Sequence, residues 1–140
     1  MDRLAKINLA YGERPIADAL DAMERLAARP HDGIFLDRVP GDRAGLGGVA
    51  LAVRVARRLG FGVVLLNPGR PVDPGYRELD AAICAFDGDW AEYQRWSGEG
   101  AVPGDGHLVY GVPAAQADTA RKMMAWRGAG FGVVAETRTW

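Results

Sequence analysis

The sequence predicts an α/β protein built around a parallel sheet, and two observations carry that prediction. Short apolar runs, several without polar alternation, recur along the 140 residues, as strands buried on both faces do. Between consecutive runs lie segments long enough for the crossover that parallel strands require. The run that organises the rest is Gly33-Ile34-Phe35-Leu36-Asp37-Arg38, which delivers a carboxylate to a strand end. Later runs close in the same way at Asn67, Asp87, Gly111 and Glu136. Chemistry in such sheets collects at the carboxyl ends of the strands.

Taken in order, Leu4 to Ala10 is a strand, with Leu4, Ile7 and Leu9 around Lys6 and Asn8, and Tyr11-Gly12 turns the chain. Pro15 suits the first turn of a helix in which Ile16, Leu20, Met23 and Ala27 recur at helical spacing until Arg29-Pro30 stops it. After the Asp37 strand, a loop over 39–44 leads into a second helix with the stripe Leu46, Val49, Val53 and Ala56. Arg54, Arg57 and Arg58 mark its outer face, Gly60 caps it, and Phe61 to Leu66 is the next strand. A Pro-rich loop then carries one helical turn around Tyr76 to Leu79, before a strand from Ala81 to Phe86. Asp89 caps a short helix containing Trp90, Tyr93 and Trp96, and Ser97 to Gly106 is a Gly-rich loop. The last two strands are His107 to Val112 and Phe131 to Glu136, joined by a helix from Ala114 to Arg127 that Gly128 and Gly130 end.

Six strands alternating with about five helices mean right-handed crossovers, in either a doubly wound open sheet or part of a (β/α) barrel. Periodicity leaves both architectures open. One domain over residues 1–140 is expected, since 49% hydrophobic and 25% charged residues supply a core of ordinary globular kind. A net charge of −1 offers no field for nucleic acid or an anionic membrane. No long apolar segment follows Met1, so neither a signal peptide nor a membrane span is expected, which as given places the chain in the cytoplasm. Cys84 lies in an apolar run and has no partner cysteine, so a buried thiol is expected.

Cofactor signatures fail one by one. Gly45-Leu46-Gly47-Gly48-Val49-Ala50 fits the loose dinucleotide pattern, yet it lies eight residues beyond Asp37, and the next strand ends in Asn67 rather than an acid. His31 and His107 have no companions at metal spacing. Ser97 is the sole serine, without a Gly-x-Ser-x-Gly turn around it. Neither a cofactor nor a metal is expected.

Four motifs in order add a resemblance. Tyr11-Gly12-Glu13-Arg14-Pro15-Ile16, Asp32-Gly33-Ile34-Phe35-Leu36-Asp37, Leu66-Asn67-Pro68-Gly69 and Phe86-Asp87-Gly88-Asp89-Trp90 are similar to successive motifs of the spherulation-specific family 4 (spherulin 4-like) proteins. The likeness runs from about Ala5 to the C-terminus. It implies a TIM-type (β/α)8 barrel related to fungal endo-α-1,4-N-acetylgalactosaminidases. By the resemblance, these strands are the third to the eighth, so the chain is a truncated barrel whose bare edges call for a second copy or a partner chain. It departs from the family pattern at Arg38, where a Glu follows the Asp, at Asp87, where a Glu stands, and at Leu9, where a Thr is usual.

Glycoside hydrolysis needs two carboxyls across the scissile bond, and the resemblance assigns Asp37 and Asp87 as the catalytic pair. Strand-end Asp residues in a generic α/β chain cap helices or bind loop amides instead. Arg38 in place of an acid reverses the local field and is expected to hold Asp37 as a carboxylate. Candidate polysaccharide contacts are Arg38, the Asn67 amide, the rings of Tyr11, Tyr76 and Trp90, and a third rim carboxylate, Glu136. Two functions follow from these residues: a glycosidase acting on galactosamine-containing polysaccharide, or a catalytically degenerate relative that binds polysaccharide or serves as a structural partner.

Overall fold

The computed structural model describes residues 3–140 and contains one sheet of six parallel strands in sequence order. These are β1 (Leu4–Asn8), β2 (Gly33–Asp37), β3 (Val64–Asn67), β4 (Ala82–Asp89), β5 (Gly106–Tyr110) and β6 (Phe131–Val134). Four α-helices connect them: α1 (Ile16–Ala27), α2 (Arg43–Arg58), α3 (Trp90–Arg95) and α4 (Ala117–Trp126). The expected α/β alternation is therefore present. Its fifth helical element, around Tyr76, is a 3₁₀ turn over Pro74–Glu78. The chain forms two compact units, Met1–Pro68 with Val72–Ile83, and Gly69–Pro71 with Cys84–Trp140.

In the first unit, α1 and α2 cover one face of β1, β2 and β3. Ala19 and Met23 of α1, and Val49, Ala52, Val53 and Ala56 of α2, pack on Ile7, Ile34, Leu36, Val64 and Leu66. Each large side chain so buried contributes roughly 1.5–3 kcal/mol. Strand residues alternate between faces, and register partners share one. Lys6 pairs with Phe35 and then Leu65, and Asn8 with Asp37 and then Asn67, so these six share the face turned away from the helices. Gly33 opens β2 because a Cβ there would lie 2.5 Å from the Val63 carbonyl oxygen.

Phe61 belongs to the end of α2 rather than to β3, a correction with a local cause. Gly60 takes φ +93°, its N–H bonds to Arg57 O, and the Phe61 N–H reaches back to Ala56 O. That is a Schellman ending. Pairing with β2 begins only at Val64.

In the second unit, Phe86, Trp90, Tyr93, Val109, Val112, Ala120 and Met124 form the core. Asp89 caps α3 through a reciprocal capping box with Glu92, as its position predicts. β4 extends past its apolar run, because Asp87, Gly88 and Asp89 stay paired with Leu108, Val109 and Tyr110 after a register shift between Cys84 and Phe86. The expected helix from Ala114 divides into a 3₁₀ turn over Ala114–Gln116 and α4. Cys84 is buried and free of any disulfide.

Candidate functional site

A row of polar side chains lies at the carboxyl ends of the first unit's strands. Asn8, Asp37 and Asn67 end β1, β2 and β3 in register, on the face opposite the helices. The Asn67 Nδ2 donates to Asp37 Oδ1 at 3.0 Å, and the same oxygen accepts the Arg38 backbone N–H at 3.0 Å. Asn67 is 3% exposed and Asp37 half-buried. Asn8 Oδ1 accepts the Ala10 N–H at 2.8 Å. Two donors on one oxygen fix the Asp37 carboxyl in a single orientation.

Backbone strain concentrates beside that row. Ala10, Tyr11 and Arg38 have φ of 50°, 55° and 49°, the left-handed region that favours glycine. The Tyr11 N–H donates to Arg38 O at 2.7 Å, tying the two strained turns together. Arg38 does not hold Asp37 as expected. Its left-handed backbone turns the side chain into solvent, where it makes no hydrogen bond or ion pair among the described residues. Tyr11 is 46% exposed.

Asp87 belongs to the second unit and has different company. Its Oδ2 accepts from Arg138 Nη2 at 2.9 Å, and its Oδ1 from Trp140 Nε1 at 3.2 Å. The Arg138 guanidinium also lies 5.7 Å from the Trp140 ring centre, and Trp140 packs 6.1 Å from Tyr110. The segment after β6 thus spans both oxygens of this carboxylate.

Two further candidates are structural, and a third lies in solvent. Tyr76 is fully buried in the first unit's core, where its hydroxyl donates to Asp42 O at 2.6 Å, and burial followed by the nearby Asp42 charge raises its pKa. It offers no ring face to a sugar. Trp90 is packed in the second core with its indole N–H donated to Gln116 Oε1, so it too is structural. Glu136 stands beyond β6, exposed to solvent. Among the described residues, no group of three His, Cys, Asp or Glu is placed to hold a metal ion, and no helix is long and apolar enough to cross a membrane.

Sequence reasoning missed Asn8, Arg138 and Trp140. The polar positions Lys6 and Asn8 alternating with Ala5 and Ile7 were the available signal for Asn8. Nothing in the sequence marked Arg138 or Trp140, which fold onto a residue 51 and 53 positions earlier.

No protein-family model matches the sequence, and no curated protein does. By structure, the chain is similar to Aspergillus clavatus Sph3 in complex with GalNAc, with a TM-score of 0.75 and 17% identity. The match covers 97% of this chain and 64% of that one, so the chain spans somewhat less than two thirds of the neighbour's length. At that identity the likeness is one of fold: the chain is an α/β protein of six parallel strands, matching part of a TIM-type barrel protein.

Proposed function

We propose that this chain is a spherulin 4-like carbohydrate-active protein that binds galactosamine-containing polysaccharide at the carboxyl ends of its strands. The observation that carries the reading is the Asn8, Asp37 and Asn67 row, on the face away from the helices, in a fold similar to a protein solved with GalNAc bound. Amides and a carboxylate of fixed orientation are what sugar hydroxyls and amino groups require as partners, and a fixed group loses little freedom on binding. Tyr11 adds a flat apolar surface with a polar tip beside them. Strained backbone at Ala10, Tyr11 and Arg38 persists only where surrounding structure holds it, and such strain gathers at binding and catalytic sites.

Hydrolysis is the second reading, with Asp37 and Asp87 as the two carboxyls. Asp37 favours it, its Oδ1 being oriented by the Asn67 amide and the Arg38 N–H. Asp87 opposes it, since Arg138 and Trp140 already occupy its two oxygens. Binding without turnover is therefore the better supported outcome.

The test is calorimetric titration with α-1,4-linked galactosaminan oligosaccharides, alongside reducing-end release by the same preparations. Asp37→Asn keeps the shape and removes the charge; a lost charge-assisted contact of about 1.5–3 kcal/mol weakens binding roughly 10- to 150-fold. Equal affinity in the parent and the variant refutes the site. Sugar release by the parent that vanishes in Asp87→Asn promotes the hydrolase reading, and release that appears only in Arg38→Glu identifies the residue that disarms the cleft.

A further inference from the structure

The second unit carries a cleft at the opposite end of its strands. The loop over 97–105 leads into β5, and the end of α4 leads towards β6, so the cleft sits by the amino ends of these strands, away from Asp87. Trp96, Ser97, Val102, Pro103, Trp126 and Arg127 line a space of about 300 Å³. Trp126 is 85% exposed and Val102 45%, two of the large apolar residues that the fold leaves in solvent.

An indole that exposed has no packing role, and its flat face stands free beside a polar-edged recess. Ser97 Oγ accepts the Glu99 N–H at 3.3 Å, which leaves its own proton for a ligand oxygen. Arg127 is the one charged residue among these six; its Nε is buried without a hydrogen-bond partner among the described residues, out of reach of a ligand in the cleft, and the rest of its head faces protein groups. It donates to Trp96 O at 2.7 Å, and its guanidinium lies 4.9 Å from the Tyr93 ring centre and 5.4 Å from that of Trp96. A cation so placed gives an anion little to grip, while it repels an ammonium group.

We propose that this cleft is a second saccharide site, taking an N-acetylated hexosamine in preference to a free amino sugar. The indole of Trp126 covers a pyranose face, Ser97 and loop backbone groups bond its hydroxyls, and Val102 with Pro103 receives the acetyl methyl. The choice of sugar rests on the function proposed above, whereas the cleft itself does not involve the strand carboxyl ends. Polysaccharide held there would keep a long chain near the protein and raise its effective concentration at any other site.

The full chain is titrated with N-acetylgalactosamine oligosaccharides while the indole N–H resonances are followed by NMR, that of Trp126 being assigned through Trp126→Ala. The Trp126 resonance is expected to shift saturably. Ser97→Ala should weaken that titration about fivefold, and Trp126→Ala should abolish a comparable share of calorimetric binding. Asp37→Asn should leave the Trp126 titration unaltered, whether or not it weakens binding elsewhere. A Trp126 resonance that stays still, or one whose titration disappears with Asp37→Asn, overturns the proposal. De-N-acetylated galactosamine oligosaccharides should titrate at least fivefold more weakly, and equal strength overturns the assignment of an acetylated ligand. If Asp37→Asn binds like the parent while Trp126 still titrates, the strand-end site falls and this cleft stands.

Discussion

Replacing Arg138 by Ala tests how the segment after β6 is held. Arg138 Nη2 donates to Asp87 Oδ2 at 2.9 Å, and the Asp87 side chain is 12% exposed against 38% for Arg138. Removing one partner of a fully buried pair costs about 3–5 kcal/mol, and an exposed pair is worth about 0–1. With one member buried and the other more than a third exposed, screening by solvent brings the loss to roughly 1–2 kcal/mol. Trp140 remains as a donor to Asp87 and limits the damage. Urea unfolding should show a lower midpoint at an unchanged slope. A double-mutant cycle with Asp87→Asn isolates the pair, with an expected coupling of about 1 kcal/mol that shrinks in high salt. A coupling indistinguishable from zero, or one indifferent to salt, refutes the reasoning.

Tyr93→Phe removes the hydroxyl 2.6 Å from His107 Nδ1, leaving a buried nitrogen without its hydrogen-bond partner, and a loss of about 1–3 kcal/mol by urea titration is expected; no change would mean the pair does not hold α3 to β5. Burial, followed by the Arg127 charge, lowers the His107 pKa from 6.5, so its stability contribution is complete above 6.5 and is lost as pH falls below it. His107→Gln should therefore flatten the stability profile below pH 6.5 by up to about 1.4 kcal/mol per unit, and an unchanged slope would contradict the assignment. Asp89→Ala deletes the acceptor that bonds Glu92 N at 2.8 Å, and thermal unfolding should report a cost of about 1 kcal/mol.

Legibility in the sequence followed the physics of each signal. Apolar runs and helical stripes report burial directly, which is why β2, α1 and α2 fall where periodicity puts them. Ends are set by finer interactions. Phe61 is as apolar as its neighbours, and only the left-handed Gly60 and the bond to Ala56 O assign it to the helix ending. β4 outruns its apolar stretch because pairing with β5 holds polar residues in line, and a pairing partner leaves no mark on local composition. The same holds at the site. Asp37 and Asn67 were legible because both close apolar strands, and strand ends in register meet. Tyr76 and Trp90 misled because an aromatic residue in a loop or short helix has the same identity whether it faces solvent or core; the deciding facts are a hydroxyl aimed at Asp42 O and an indole aimed at Gln116.

The two candidate carboxylates show how one residue type acquires two roles from its donors. Asp37 Oδ1 accepts from a side-chain amide and a backbone N–H, which orient the carboxyl. Asp87 meets a guanidinium, which cancels its charge at short range. Near Asp37 the chain also accepts strain, with three non-glycine residues in the left-handed region at an expense of about 1 kcal/mol each. Nothing in folding alone calls for Arg38 there, since glycine would take the same backbone without strain. The strained residues flank the polar row and are joined by the Tyr11 to Arg38 hydrogen bond, so the strain fixes the turns that border Asp37. Relief by Arg38→Gly would stabilise the fold and loosen those turns, and a binding site is where that exchange is unfavourable.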